Sequence, residues 1–259
     1  MKKSLQKSLQ KVFVILLICV CIIPFVFVIF QSLLNSDSEL SGMAYYQVFL
    51  AEPVYLFRFW KSLFMCLIIV AGQLVVTVLG GFGFAKYDFP GKHVLFTILM
   101  ILMTLPVQVT LVPNYILFDK LHMLDSWSAL ILPAVFSPLG TFITMQCFKS
   151  IPDDVIDAAK IDGCNLIQVL RYVVIPIARG GIISAGILAF LDSWNMVEQP
   201  LAYLKSFTSY PLSVALSVVF PKEINVQMAA CLLVLIPPLM LFLYFQHDLV
   251  EGIVIGEEK

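Results

Sequence analysis

Residues 12–30 read VFVILLICVCIIPFVFVIF, a run with no charged, amide or hydroxyl side chain. As an α-helix rising about 1.5 Å per residue it would reach about 28 Å, close to the ~30 Å hydrocarbon thickness of a bilayer. In water such a helix would have no face to solvate. In hydrocarbon it satisfies its own backbone and offers lipid an apolar surface on every side. This places the chain in a membrane. Five further stretches are long and apolar enough to cross: Leu63–Phe84, Val94–Leu117, Trp127–Phe148, Gly180–Leu204 and Val226–Phe245. The expected fold class is therefore all-α, a polytopic membrane helical bundle of six transmembrane spans. Gly180–Leu204 is the least apolar of them.

The overall composition agrees. Of 259 residues, 60% are hydrophobic and 13% charged, against about 45–50% and about 25% in a soluble domain. Little length remains for anything outside the membrane, so residues 1–259 are expected to form a single transmembrane domain. A net charge of −1 offers no broad basic surface for nucleic acid. Lys2, Lys3, Lys7 and Lys11 precede the first apolar run as in a signal peptide, but the run is long and no small-residue cleavage site follows. A retained first span is expected.

Lysine and arginine set the orientation. With the N-terminus inside, the inner segments carry Lys2, Lys3, Lys7, Lys11, Lys86, Lys92, Lys149, Lys160, Arg171, Arg179 and Lys259. The outer segments carry only Arg58, Lys61, Lys120, Lys205 and Lys222. Both termini are expected in the cytoplasm. Five of the six cysteines (Cys19, Cys21, Cys66, Cys147, Cys164, Cys231) lie in apolar runs, without metal-ligand spacing, and read as small hydrophobes. His93, His122 and His247 stand apart at span edges, so no metal site is expected.

The longest inner connection, residues 149–179, is too polar to span and too regular to be a linker. Pro152 suits the first turn of a helix. Asp153, Asp154 and Asp157 lie toward its N-terminal end and Lys160 toward its C-terminal end, complementing the helix dipole. Gly163 can adopt the left-handed conformation that stops a helix. Asn165 with Gln168 matches a capping box opening a second helix. Val155, Ala158, Ala159 and Asp162 fall on one face at helical spacing. That face can admit another protein closely, or it can pack on the chain's own spans.

These residues carry a resemblance. Asp157-Ala158-Ala159, Ile161-Asp162-Gly163 and Ile175-Pro176 resemble the EAA loop of binding-protein-dependent ABC importers. Phe89-Pro90-Gly91, Pro106 with Gln108, Ile151-Pro152, Trp194-Asn195, Pro200-Leu201, Gln246 and Val250-Glu251-Gly252-Ile253 match in order and spacing. The likeness runs through nearly the whole chain and is greatest to sugar permeases of the maltose-transporter second-subunit type. Departures occur at Asp157, where Glu is usual, at Arg179-Gly180, at Met196-Val197-Glu198 and in the tail Gly256–Lys259.

The resemblance implies a type I ABC importer permease in a bacterial cell membrane, working by alternating access. It implies a second permease subunit, two ATPase subunits and an extracellular solute-binding protein as partners, besides membrane lipid. Asp157, Ala158, Ala159, Asp162 and Gly163 would couple this chain to the ATPase. The phosphate-binding pattern G-x-x-x-x-G-K-[ST] is absent from the sequence: Gly91-Lys92 has Lys86 five residues before it and His93 after it. ATP and Mg are therefore expected on the partner, with no cofactor and no enzymatic chemistry on this chain. The solute would be a sugar or oligosaccharide. A peptide, amino-acid or phosphate importer of the same architecture is an alternative, as is a secondary transporter or multipass enzyme acting alone. The lack of internal repeats weighs against a secondary transporter built from matching halves.

Within the fifth span, Ser184, Asp192, Asn195, Glu198 and Gln199 fall in an arc of about 120° if the helix is continuous. Polar groups at that depth usually face a cavity or a partner, so these five are candidates for a solute pathway. Pairing of Asp192 and Glu198 with neighbouring helices is the other reading. Trp194, off the stripe, reads as an anchor. Gln73, Thr77, Ser137, Thr141 and Thr144 form weaker stripes of the kind that also bonds backbone or a neighbouring helix.

Overall fold

The structure is a computed structural model that describes residues 2–34, 39–51, 53–219 and 224–254. Among them the secondary structure is helical apart from one isolated bridge between Leu34 and Leu40. In chain order the helices are α1 (Lys2–Ser32), α2 (Met43–Tyr46), α3 (Pro53–Lys86), α4 (Lys92–Thr104) and α5 (Val107–Lys120). Then come α6 (Ser128–Val135), α7 (Pro138–Lys149), α8 (Asp153–Ile161), α9 (Leu166–Val169) and α10 (Ile175–Ile177). The last are α11 (Arg179–Trp194), α12 (Glu198–Tyr203), α13 (Leu212–Val219) and α14 (Ile224–Val254). A π-helical turn, Leu170–Val174, joins α9 to α10.

Among the described residues, four helical stretches are long and apolar enough to cross a membrane: Gln10–Ser32, Val54–Lys86, Ser128–Lys149 and Ile224–Asp248. The expected count of six is reached only when each of two bent pairs is taken as one span. The first correction is Val94–Leu117, which is not one helix. α4 and α5 meet at 103°. Pro106 has no N–H to donate and bars its predecessor from the helical region, and Leu105 is accordingly extended (φ −73°, ψ 124°).

The second correction is Gly180–Leu204. Its helix stops at Trp194, residues 195–197 are not helical, and α12 begins at Glu198. Pro200 accounts for the stop, since in a continuous helix its ring would collide with the carbonyl of Met196. On the other side of α11, the segment Leu166–Ile177 lies at 86° to it.

The chain divides into two compact units, Met1–Phe59 with Ala215–Ile236, and Trp60–Val214 with Pro237–Lys259. In the first, α1 exposes apolar side chains on every face, from Val12 to Phe30. Its C-terminal end is tied by Ser32, whose Oγ lies 2.8 Å from the Tyr45 hydroxyl, and by Gln31, which donates to Asn225 Oδ1 at 2.9 Å. Tyr55 donates to the carbonyl of Ala230.

The second unit holds two apolar cores. One gathers Phe82, Phe148, Ile151, Ile156, Val169 and Val174. The other gathers Met65, Ile69, Phe118, Leu130, Met196 and Tyr203. Close packing of small residues joins α3, α7 and α11. A Cβ on Gly181 would collide with the Cys147 sulfur, and one on Gly81 with the Thr144 hydroxyl. Thr144 donates that hydroxyl to the carbonyl of Thr77 at 2.7 Å, the close-approach bonding common between membrane helices.

Candidate functional site

Three helix interruptions in the second unit open onto one cavity of about 910 Å³. The α4–α5 break contributes Leu105, Val107 and Gln108, the α6–α7 break Phe136, Ser137 and Pro138, and the α11–α12 break Asn195, Met196 and Val197. Backbone that leaves the helix at membrane depth is tolerated where it is buried in protein or lines a cavity, so the breaks and the cavity explain one another.

Of the five stripe residues, the cavity takes four, Asp192, Asn195, Glu198 and Gln199. They do not arrive as one helical stripe, because Asn195 follows the end of α11 and Glu198 and Gln199 sit in the first turn of α12. Ser184 lies elsewhere: it is buried, and its hydroxyl donates to the carbonyls of Gly180 at 2.8 Å and Asp248 at 3.3 Å. Ser193, on the opposite face of a continuous helix, also lines the cavity, with its hydroxyl turned back to the Ala189 carbonyl at 2.8 Å. Trp194 is buried and stacks on Phe190 with ring centroids 5.5 Å apart.

The contact that organises the cavity wall crosses between two breaks. Gln108 Nε2 donates to both carboxylate oxygens of Glu198, at 2.7 and 3.0 Å. Of the weaker candidates, Gln73 and Ser137 line the cavity, while Thr77, Thr141 and Thr144 hydrogen-bond within helix contacts. Gln108 and Asn114 are lining residues that the stripe did not include. The signal for Gln108 was Pro106, which forces a break in an apolar run and so turns its neighbour toward a cavity.

The 149–179 segment is the second candidate. Pro152 is the residue before α8 (φ −60°, ψ 139°), one position earlier than expected. Asp153 and Asp154 occupy the first turn and Lys160 the last. Gly163 stands at φ +86°. Cys164 N donates to Ala159 O and Gly163 N to Lys160 O, each at 3.0 Å, the paired bonds of a Schellman stop. Asn165 and Gln168 then form the reciprocal capping box, at 2.8 and 2.9 Å.

The expected face of α8 needs correction. Ala159 turns inward with Ile156, while Val155, Ala158 and Asp162 are exposed. Ile156 is larger and packs against Phe148, Val169 and Val174, so the helix rotates to bury it, and Ala159 lies one turn on along the same side. The exposed surface holds Asp157, Ala158 and Ile161, the last 86% exposed.

Lys86, at the end of α3, anchors this segment. Its side chain is 8% exposed, and Nζ donates to Ile151 O at 2.5 Å and to Asp153 Oδ1 at 2.7 Å. The hydrogen bond from Lys86 holds the Asp153 carboxyl below the usual carboxylate range, and the bond to Asp157 raises Lys160. The Asp157–Lys160 pair itself, at 2.9 Å, is exposed on both sides and adds little.

Residues 77–253 match the family described as binding-protein-dependent transport system inner membrane component. The arabinooligosaccharides transport system permease protein AraQ of Bacillus subtilis is 28% identical over 232 residues, 87% of this chain and 83% of that protein. The sn-glycerol-3-phosphate transport system permease protein UgpE of Salmonella typhimurium is 31% identical over 212 residues, 77% of this chain and 74% of that protein. The sulfoquinovosyl glycerol transport system permease protein SmoH of Agrobacterium fabrum is 32% identical over 220 residues, 83% and 77% respectively. A crystal structure of a bacterial ABC transporter involved in the import of alginate, an acidic polysaccharide, contains a chain with the same fold. Its TM-score is 0.87 at 17% identity, covering 95% of this chain and 97% of that one.

Proposed function

We propose a function from one premise: this chain belongs to the family of binding-protein-dependent transport system inner membrane components. It is a multi-pass permease subunit of an ABC importer for a sugar or oligosaccharide. The observation that carries this is the extent of the match, 77–253, which takes in all of the cavity wall but Ile69 and Gln73, and the capped helix pair after Pro152. All three relatives named above are permeases for sugars or glycerol derivatives. That range disfavours a peptide or amino-acid solute and a transporter acting alone. It includes both neutral and anionic solutes.

In this reading residues 1–259 work as one permease domain with both termini in the cytoplasm. The surface of α8 around Asp157, Ala158 and Asp162 docks on an ATPase subunit. Gly163 and the buried Ala159 hold that helix in place. A second permease completes the solute cavity, and an extracellular binding protein delivers solute to it. ATP and Mg bind on the two ATPase subunits, so this chain moves solute without making or breaking covalent bonds. Asp192, Asn195, Glu198 and Gln199 form its share of the pathway; Ser184 supports α11 by its bond to the Asp248 carbonyl.

The test is copurification and uptake. Membranes carrying the chain with its genomic neighbours should yield a complex containing an ATPase, with ATP-driven sugar uptake that Asp157→Lys weakens. A chain that transports after purification without any ATPase would overturn the reading. Topology is tested separately with a reporter active only outside. It should work after Gln31 and fail after Lys92 or Lys160; the matching outer position, Lys222, lies outside the described residues, as do Lys259 and the tail.

A further inference from the structure

The charge and hydrogen-bonding state of the cavity wall narrow the solute class. This step rests on the cavity being the solute pathway. Among the described residues, the charged side chains lining it are Asp192 and Glu198, with no lysine, arginine or histidine. About 910 Å³ lies at the upper end of small-molecule sites, which run about 300–1,000 Å³.

Three of the wall's amides donate to the protein, while its two carboxylates keep acceptor positions open. Gln108 donates to Glu198, Asn195 Nδ2 donates to Leu191 O at 2.9 Å, and Gln73 Nε2 donates to Ala134 O at 3.3 Å. A carbonyl only accepts, so the Ala134 contact fixes which way the Gln73 amide is turned. Gln73 is 9% exposed, and its Oε1 is buried without a partner. Leaving such an acceptor unpaired is costly unless something donates to it. Asp192 has no hydrogen bond or ion pair among the described residues, and Glu198 receives only one amide donor for its two oxygens. An ionised carboxylate offers about four acceptor positions.

We infer that this wall selects a neutral, hydroxyl-rich solute and rejects anionic ones, with Asp192 and Glu198 as the selecting groups. A sugar hydroxyl can donate to each of the two carboxylates. A phosphate, sulfonate or carboxylate can only accept, and would meet two like charges in a site of reduced dielectric. The N-terminus of α5 also opens here and would favour an anion, but the Glu198 carboxylate, held by the first-turn Gln108, already brings a negative charge next to it.

The test uses charged thiol reagents on the assembled importer in membrane vesicles. Replace the six native cysteines, introduce Asn195→Cys, and compare a cationic methanethiosulfonate with an anionic one, each relative to its rate on free cysteine. Clefts lined by one sign of charge change local concentrations about tenfold or more, so a cationic preference of about tenfold is expected. It should collapse when Asp192→Asn and Glu198→Gln are added. Gln199→Cys serves as a second reporter should the first variant assemble poorly. Equal relative rates for both reagents would overturn the charge inference while leaving the cavity open to water. No reaction with either reagent at both positions would remove the cavity itself as the pathway, and this inference with it.

Discussion

The segment after Pro152 and the cavity wall are built in opposite ways. In the segment, each device closes within a few residues: Gly163 and Cys164 bond back to Lys160 and Ala159, and Asn165 and Gln168 cap each other. In the wall, the organising contact joins Gln108 to Glu198, ninety positions apart. Gln73 is fixed by Ala134, sixty-one positions on. The segment is a unit of local chemistry; the wall exists only where three interrupted helices meet. Under the proposed function that difference matters: a locally closed element would transmit a push, and the wall would change shape as its helices shift.

The largest expected effect breaks the segment at its turn. Gly163 at φ +86° has open space around an added Cβ, so the objection to a side chain there is conformational rather than steric crowding. A left-handed non-glycine residue costs about 1–2 kcal/mol, more for a β-branched one. Gly163→Val should therefore reduce transport about tenfold or more, with loss of ATPase copurification. Wild-type copurification and solute-stimulated hydrolysis would sink the assignment of the segment as the coupling element.

Next is the single long-range tie that the segment does have. Lys86→Met removes a nearly buried ammonium that bonds Ile151 O and Asp153. Losing hydrogen bonds to a charged group should cost about 1.5–3 kcal/mol, read as a lower Tm of the purified complex. Solute-stimulated hydrolysis should fall more than basal hydrolysis. Equal falls in both would make Lys86 a stability residue without a share in coupling.

A smaller effect is expected in the wall. Glu198→Gln keeps an acceptor for Gln108 but removes the charge, so apparent solute affinity should drop about fivefold, near 1 kcal/mol, with assembly intact. A lower Tm at unchanged affinity would make Glu198 a packing residue and erase the functional side of the comparison.

The smallest effect is one of pH. Asp153 lies below its ordinary carboxylate range in the fold, so its contribution is complete at neutral pH. That contribution is lost only as pH falls below about 4. Lys160 is raised, so its contribution is complete below about pH 10 and fades as pH climbs past that. ATPase copurification should therefore stay level between about pH 5 and 9. A midpoint near pH 6–7 would show that other groups hold the docking surface.

The segment was legible because a cap, a glycine stop and a capping box are decided by neighbours in sequence. Even there, rotation was not. The spacing puts Ala159 on one face with Ala158 without saying which side is buried, and the burial of Ile156 against Phe148 and Val174 turns Ala159 inward while Ala158 stays exposed. The wall was half legible. The spacing of Asp192, Asn195, Glu198 and Gln199 assumes a helix that in fact ends at Trp194, and they meet at the cavity because the end of α11, the non-helical residues after it and the start of α12 all line it. Ser184 satisfied the same spacing and ended in a contact with the Asp248 carbonyl.

The amino-acid sequence by itself determined the membrane, the all-helical class and the capped helix pair, because apolar length and local backbone chemistry need no distant partner. It also contained the breaks, in Pro106 and Pro200. Which way the chain resumes after each break was decided by packing: α5 leaves α4 at 103°, and α12 starts anew at Glu198. A proline dictates that a hydrogen bond is lost, whereas the direction taken afterwards depends on which apolar surfaces can be buried together. That choice brought Gln108 to Glu198 and made a cavity out of residues that share no local pattern.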